Sequence, residues 1–276
     1  MDASCRLLLR FWGVRGSMST PHAANLGFGG NTTCLELRPT PNEVVIIDGG
    51  TGLYDLGRAL MAEFQNRPLS IRFLLSHFHW DHIQGIPFFA PLFVAANEIT
   101  FYSDRSPSDL QRFLEGQMVY PYFPIQFGEM PAQKRFVQTQ PEMRFGDLVV
   151  RPFPVNHPQS AIGYRFERNG AIIVHSSDLE HGHETLDKTL IDYARDADVL
   201  IYDAQYTPEE YLGKRGWGHS TWMEAVRTAR EANVKRLVLF HHDPSHDDSF
   251  LEKLVQEARP HFENTEAARQ GCTIRV

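Results

Sequence analysis

Residues 77–82 read His-Phe-His-Trp-Asp-His, so four potential metal ligands fall within six positions. They follow the apolar run Ile-Arg-Phe-Leu-Leu at 71–75, whose composition predicts a buried strand. A strand fixes a position in the fold, and the loop that opens at Ser76 can bring several side chains around one point. Imidazole nitrogen and carboxylate oxygen are suitable ligands for zinc, manganese or iron. A polar loop that is rich in histidine by chance is the alternative, and the spacing after a buried strand argues against it.

The pattern His-x-His-x-Asp-His after a strand resembles the signature of the metallo-β-lactamase superfamily of metal-dependent hydrolases. The resemblance implies an α/β (α+β) chain folded as a four-layer αββα sandwich, with the metal site at one end of the sheets. It implies that His77 and His79 bind one metal ion and that Asp81 and His82 bind a second. It also implies that an acid at the position of Asp48 supports the metal-binding loop.

Two later strand ends carry further motifs of this kind. Residues 148–155 are strand-like and end at Asn-His-Pro, and the sequence around His157 resembles the third-histidine motif of the superfamily's phosphodiesterase branch. The resemblance makes His157 the third ligand of the first metal. The next predicted strand, 171–174, is followed by Ser-Ser-Asp, and in the family an acid at Asp178 bridges both metals. From the residues alone, Asp178 could instead cap the next helix.

The order of motifs in the last third resembles that of ribonuclease Z and its relatives. A buried strand at 199–202 ends in Asp203, and Gly-His-Ser-Thr follows at 218–221. In those relatives a strand-end acid pairs with the histidine of a His-Ser-Thr motif near the leaving group. The resemblance therefore implies that Asp203 and His219 act in catalysis.

A pair of histidines ends the apolar strand predicted at 236–240. Side chains alternate between the two faces of an extended chain, so His241 and His242 point in opposite directions. The strand pattern favours His241 as the last ligand of the second metal, with His242 as the alternative.

A glycine-rich turn, Asp-Gly-Gly-Thr-Gly at 48–52, lies between a predicted strand at 43–47 and a helix predicted from about Tyr54 to Gln65. A strand, a glycine-rich turn and a helix start can together bind an anion. A tight turn without a ligand explains the glycines equally well.

The chain has 276 residues, 42% hydrophobic and 22% charged, which is ordinary for a globular protein with a sizeable core. We interpret residues 1–276 as a single metallo-β-lactamase-like domain. The stretch from about 88 to 136 is unusually aromatic and is interpreted as an insertion. The aromatic residues predict either a wall or a lid of the substrate pocket. A satellite core or a dimer contact explains them equally well, so a homodimer is an open alternative.

The formal net charge is −7 and no long run of Lys and Arg occurs. Proteins that hold a long polyanion usually show a basic excess or a basic stripe. We therefore expect a small anionic substrate and no long nucleic acid as partner. Only twenty residues separate His157 from Asp178, so the long tRNA-gripping arm of ribonuclease Z does not fit between them.

The three cysteines, Cys5, Cys34 and Cys272, are odd in number and widely spaced, which indicates a reducing compartment and small buried side chains. No signal-peptide pattern and no apolar run of membrane-spanning length is visible. We expect a cytoplasmic protein that has no membrane partner.

Together these features predict a metal-dependent hydrolase, with a dinuclear phosphodiesterase acting on a small phosphodiester, such as a cyclic nucleotide, favoured. The resemblance implies two divalent ions, zinc first and manganese or iron as alternatives, with a hydroxide bridging them. The predicted metal ligands are His77, His79, Asp81, His82, His157, Asp178 and His241, and the predicted catalytic residues are Asp81, His219 and Asp203. Alternatives are an ester, thioester or lactone hydrolase of the same superfamily, a redox di-iron protein, and a non-catalytic ligand-binding member.

Overall fold

The computed structural model describes residues 6–65 and 67–276, and within them it contains two seven-stranded sheets. The strands of the first sheet are β1 (Leu8–Gly13), β2 (Cys34–Arg38), β3 (Val44–Ile47), β4 (Ser70–Leu74), β5 (Glu98–Ser103), β6 (Gln133–Gln138) and β14 (Thr273–Arg275). Those of the second are β7 (Met143–Phe145), β8 (Leu148–Val155), β9 (Ala161–Arg168), β10 (Ala171–Ser176), β11 (Val199–Asp203), β12 (Leu237–Phe240) and β13 (Thr265–Ala267). The strand orders are β14-β1-β2-β3-β4-β5-β6 and β13-β12-β11-β10-β9-β8-β7.

Helices cover the outer face of each sheet. The α-helices are α1 (Gly52–Phe64), α2 (Trp80–Ile83), α3 (Pro107–Gly116), α4 (Glu184–Ala194), α5 (Pro208–Tyr211), α6 (Trp222–Glu231) and α7 (Asp248–Ala258). Short 3-10 helices occupy Ala23–Asn25, Ile86–Phe88, Ala90–Phe93 and Phe127–Glu129. Helices α1 and α3 pack on the first sheet, and α4, α6 and α7 pack on the second. A third core lies between the two sheets. The predicted four-layer αββα sandwich is confirmed.

The central strands are buried on both faces, which explains their continuous apolar runs. In β4, Ile71 and Phe73 face the helical layer while Leu74 faces the opposite sheet. In β12, Leu239 faces the helices and Phe240 faces the inter-sheet core. This alternation of period two fixes which residues leave each strand end towards the site.

The carboxyl ends of the parallel strands meet at one edge of the sandwich. Strands β3, β4, β5 and β6 run parallel in the first sheet, and β10, β11, β12 and β13 run parallel in the second. The loops after β3, β4, β10, β11 and β12 therefore open at the same edge. The polar motifs found in the sequence all lie in or next to these loops.

The glycine-rich turn after β3 is a packing device. Its N–H groups donate within the protein: Gly49 to the His82 carbonyl at 2.6 Å and Gly50 to the Thr33 carbonyl at 2.8 Å. A Cβ on Gly50 would overlap the carbonyl oxygen of Asp81. These contacts support the tight-turn interpretation, because the Gly49 and Gly50 N–H groups already donate to protein carbonyls and are not free to bind an anion.

The aromatic segment 88–136 supplies β5, α3 and β6, so part of it builds the first sheet. Phe89, Phe101 and Phe127 are buried in the core beneath α1 and α3. Tyr120 and Tyr122 are instead 92% and 78% exposed.

Of the cysteines, Cys34 is buried, Cys272 is exposed, and Cys5 lies outside the described residues. The prediction of burial is therefore wrong for Cys272. It lies in the turn before β14, where its backbone N–H donates to the Arg269 carbonyl and its carbonyl accepts from the Phe11 N–H, both at 3.1 Å. None of the helices in 6–65 and 67–276 combines the length and apolar character needed to cross a membrane.

Candidate metal centre

The first group of potential ligands is His77, His79 and His157. The first two lie in the loop after β4, and His157 lies just beyond β8 in the opposite sheet. Their ligand atoms lie within 4.8 Å of one another, and His157 Nε2 is 3.2 Å from His79 Nδ1. The structure thus brings together three nitrogens that the sequence places in two distant motifs.

The second group contains Asp81, His82, Asp178 and His241. His82 Nε2 and His241 Nε2 lie 3.1 and 3.2 Å from Asp178 Oδ2. His241 Nε2 is also 3.2 Å from Asp81 Oδ2. All four side chains are buried, so their donor atoms form a compact set that is screened from bulk water.

Asp178 lies between the two groups. Its Oδ2 contacts the second group, and its Oδ1 lies 3.8 Å from Nε2 of His77 in the first. This geometry fits the bridging role that the resemblance implies, and the ligand set as a whole stays a prediction. Helix capping is not its role, because α4 begins six residues later with His183 as its N-cap.

Three residues of the site adopt left-handed backbone conformations. The φ angles are 58° at Asp48, 55° at Asp178 and 62° at His241, each just beyond a strand. Side chains other than glycine rarely adopt such angles, and they persist where the surrounding fold imposes them, commonly at functional sites. The sharp turns direct these side chains into the site.

Hydrogen bonds on the far side of three of the candidate histidine rings fix their orientation. Nδ1 of His82 donates to Asp48 Oδ2 at 2.9 Å, Nδ1 of His157 donates to the Gly218 carbonyl at 2.9 Å, and Nδ1 of His241 donates to Gln205 Oε1 at 2.9 Å. Each ring therefore turns its Nε2 towards the cluster, and this is the nitrogen that would bind a metal ion.

The contact between Asp48 and His82 agrees with the supporting role implied for this acid. The sequence interpretation missed two other supporting groups. One is Gln205, and the other is the Ser17 backbone N–H, which donates to Asp81 Oδ2 at 2.7 Å. Gln205 directly follows a strand-end Asp-Ala, which was a usable signal, whereas Ser17 lies in a long loop with no ligand pattern.

The donor set fits divalent metal ions. His77 Nε2 is buried and has no hydrogen-bond partner in the described chain. Burial lowers the pKa of His77 and of His157, which keeps both imidazoles neutral. Although burial opposes a charge, the carboxylates of Asp178, Asp81 and Asp48 raise the pKa of His82. The carboxylates around His82 thus favour a positive charge at this point of the site, and a bound divalent cation would supply that charge.

His219 and Asp203 form a hydrogen-bonded pair next to this cluster. His219 Nδ1 donates to Asp203 Oδ2 at 2.8 Å, and the Asp203 side chain is fully buried. Burial disfavours the imidazolium, but the Asp203 carboxylate raises the pKa of His219 to about 9. His219 Nδ1 also lies 3.9 Å from Asp178 Oδ1, and His219 and Asp203 form a third potential ligand group with Asp178 and His241.

The two histidines after β12 have different roles. His241 joins the cluster, whereas His242 Nε2 donates to the Ala268 carbonyl at 2.9 Å. Burial lowers the pKa of His242 to about 3, so it is a neutral structural side chain. The alternative ligand His242 therefore lies outside the candidate site.

The sequence profile of the Beta-lactamase superfamily domain matches residues 45–242. The chain belongs to the beta-lactamase superfamily. A ribonuclease Z from Thermoplasma acidophilum is 23% identical, covering 96% of this chain and 94% of the relative. Among solved structures, the metallo-beta-lactamase fold protein YhfI from Bacillus subtilis has a TM-score of 0.74 at 19% identity, covering 98% of this chain and 99% of the other. Human tRNase Z, short form, has a TM-score of 0.65 at 18% identity, with 97% and 98% covered.

Superfamily membership confirms the expected metal-dependent hydrolase and its likeness to the ribonuclease Z branch. The exclusion of long nucleic acids is wrong, because relatives that align along nearly the whole chain are named ribonuclease Z. The exclusion rested on a net charge of −7 and on the absence of a long run of Lys and Arg. Net charge sums the whole surface, whereas a substrate contacts one part of it, so a negative total does not exclude an RNA substrate.

Proposed function

We propose that the protein is a phosphodiesterase that holds two divalent ions, zinc first among the candidates. His77, His79 and His157 would hold one ion, Asp81, His82 and His241 the other, and Asp178 both. Bound divalent ions neutralise charge on phosphoryl oxygens and lower the pKa of bound water. Imidazole and carboxylate donors suit zinc, manganese and iron, so metal analysis of the purified protein tests the identity.

The observation that carries the proposal is the His219–Asp203 pair beside the cluster. Cleavage of a phosphodiester places negative charge on the departing oxygen, and a positioned proton donor stabilises it. Asp203 holds Nδ1 of His219, which orients the ring and leaves Nε2 as the atom available to donate to that oxygen. The second Asp203 oxygen accepts from the Gln205 N–H at 3.0 Å, so the acid itself is fixed.

The test is hydrolysis of bis(p-nitrophenyl) phosphate by protein with measured metal content. We expect His219→Ala to lower kcat by about 10²- to 10⁴-fold, the usual contribution of general acid catalysis, with two metal ions per chain retained. Equal turnover in the variant and the parent would remove His219 from the mechanism. A lower metal content in the variant would make His219 a ligand instead.

Substrate class needs separate assays, because phosphodiesters occur in RNA and in small nucleotides. We would compare a single-stranded oligoribonucleotide, a cyclic nucleotide and a p-nitrophenyl carboxylic ester, using Asp178→Ala as the inactive control. Cleavage of the carboxylic ester alone by fully metallated protein would overturn the phosphodiesterase proposal in favour of ester hydrolysis.

A further inference from the structure

A cavity of about 330 Å³ adjoins the first ligand group. Its lining residues are His77, Phe78, His79, Arg105, Phe113, Gln159 and Ser160. Pockets of this size accommodate a small ligand or one unit of a larger one. The cavity has three kinds of wall: imidazoles of the metal centre, an aromatic surface, and one guanidinium.

The aromatic wall comes from the metal-binding loop and from α3. The rings of Phe78 and Phe113 pack edge to face with their centroids 5.0 Å apart. Phe78 and Phe113 both line the cavity, so they supply an apolar aromatic wall against which a base or another planar group can pack.

Arg105 follows β5 and is the one Lys or Arg among the described residues that line the cavity. Its Nη2 donates to the Gln159 carbonyl at 2.7 Å, and its Nε lies 3.2 Å from Asp104 Oδ1 without hydrogen-bond geometry. The side chain is 34% exposed, so solvent and ligands reach it. A guanidinium has five N–H donors, and the described structure uses one of them.

The loop that accepts from Arg105 is itself held in an unusual conformation. Gln159 and Ser160 have φ angles of 67° and 74°, and Ser160 Oγ donates to Asp104 Oδ2 at 3.3 Å. The residues after β5 and the loop between β8 and β9 are thus joined by two side chains. This contact fixes the guanidinium on the cavity wall, at the side that carries Gln159.

We propose that Arg105 binds a second phosphate group of the substrate while the planar group next to the scissile phosphodiester packs on Phe78 and Phe113. The preferred substrate is then a nucleotide that carries another phosphate one nucleoside away from the bond to be cleaved. Arg binds phosphate through paired N–H donors, which gives geometric as well as charge selectivity. The inference rests on the proposed phosphodiesterase function, which supplies the first phosphate site.

Binding measured by calorimetry tests the inference without turnover. We would compare thymidine 5′-monophosphate with thymidine 3′,5′-bisphosphate, using the metallated protein. The bisphosphate should bind about tenfold more tightly, the order expected for one charge-assisted contact. Arg105→Ala should abolish this advantage and leave the monophosphate affinity within about twofold, and Arg105→Lys should restore part of it. An equal bisphosphate advantage in parent and Arg105→Ala would overturn the inference.

A merely structural Arg105 would behave differently. If its only role is to hold Gln159, then Arg105→Ala weakens both nucleotides equally, which also overturns the inference. Arg135→Ala is the matched control, because Arg135 pairs with Glu98 at the other end of β5. Asp104→Asn removes the competing carboxylate charge and should strengthen bisphosphate binding.

Kinetics separate this inference from the proposed function and identify the source of the second phosphate. Arg105→Ala should keep kcat/KM for bis(p-nitrophenyl) phosphate within about twofold of the parent, since that ester has one phosphate. If no ester is turned over but the bisphosphate still binds more tightly than the monophosphate, the phosphodiesterase proposal is refuted and the Arg105 phosphate site is retained.

The same variants identify the source of the second phosphate. If Arg105→Ala weakens binding of an oligoribonucleotide, the site binds the next phosphate of a strand. If Arg105→Ala weakens binding of the bisphosphate only, the site binds a terminal phosphate.

Discussion

Asp48 holds His82 through one oxygen and receives the Ser76 backbone N–H on the other, at 2.8 Å. Acids in this position orient a metal-bound imidazole and raise its basicity. We predict that Asp48→Asn lowers metal affinity by about 10- to 100-fold. Competition against a chelating dye measures it, with Asp192→Asn on the exposed face of α4 as the control. Unchanged affinity would show that Ser76 and the loop alone fix His82.

Gly50 is a second single position on which the site depends. A side chain there would overlap the Asp81 carbonyl and Thr32, both of which the fold holds in place. We predict that Gly50→Ala lowers the free energy of unfolding by about 1–3 kcal/mol, the usual cost of overpacking, as measured by urea denaturation. Gly116→Ala, at the end of α3 with open space around it, should be neutral or slightly stabilising. Equal stability of the two variants would contradict the packing argument.

At the scale of elements, Arg15 ties the loop after β1 to the segment before α7. It is fully buried, and it donates to the carbonyls of Gly29 at 2.8 Å and His246 at 2.5 Å. Arg15→Ala would leave buried carbonyls without donors, so we predict a loss of roughly 3 kcal/mol in the free energy of unfolding. Arg144→Ala, at an exposed ion pair on β7, should change it by less than about 0.5 kcal/mol. A loss below 1 kcal/mol for Arg15→Ala would mean that other groups satisfy these carbonyls.

The elements of strongest periodicity could be predicted from the sequence. The strand predicted at 71–75 is β4 at Ser70–Leu74, and the helix predicted from about Tyr54 to Gln65 is α1 at Gly52–Phe64. The turn α2 within the metal loop was not predicted, because four residues are too few for a helical period to show.

The features of the site that could not be predicted from the sequence depend on contacts between distant parts of the chain. Asp178 and His241 have left-handed conformations. Asp and His adopt such conformations more often than most residues, but residue type alone does not say at which Asp or His the surrounding fold imposes them. The contribution of Ser17 depends on a backbone N–H, which every residue has. Net charge failed as a guide to substrate because it carries no information about position.

At the scale of the whole molecule, buried ionisable groups tie stability to pH. His175 in β10 is 1% exposed, and neither ring nitrogen has a hydrogen-bond partner in the described chain. Burial lowers the pKa of His175 to about 4, below its unfolded value near 6.5. Below pH 6.5 the unfolded chain therefore binds a proton that the folded chain does not, and stability falls until about pH 4.

Because the pKa of His175 differs between the folded and unfolded chain, this residue should lower the free energy of unfolding by roughly 3 kcal/mol between pH 6.5 and pH 4. We predict that His175→Leu flattens the pH dependence between pH 6.5 and 4, measured as the difference in urea unfolding between variant and parent. His22→Leu, at an exposed loop position, is the control. An unchanged slope in His175→Leu would mean that water or a proton reaches the ring in the native state.

The potential ligands of the second group come from both halves of the chain, with Asp81 and His241 separated by 160 positions. On a ribosome, the histidine-rich loop emerges long before the strand that completes its binding set. The inner apolar face of the first sheet packs against strands of the second sheet, so it is covered only once those strands have been made. Metal can be captured by the full ligand set only after β12 has been made. With the proposed ligand set, the second metal ion would therefore bind late in biosynthesis, whereas the three histidines of the first group are complete once His157 has been made.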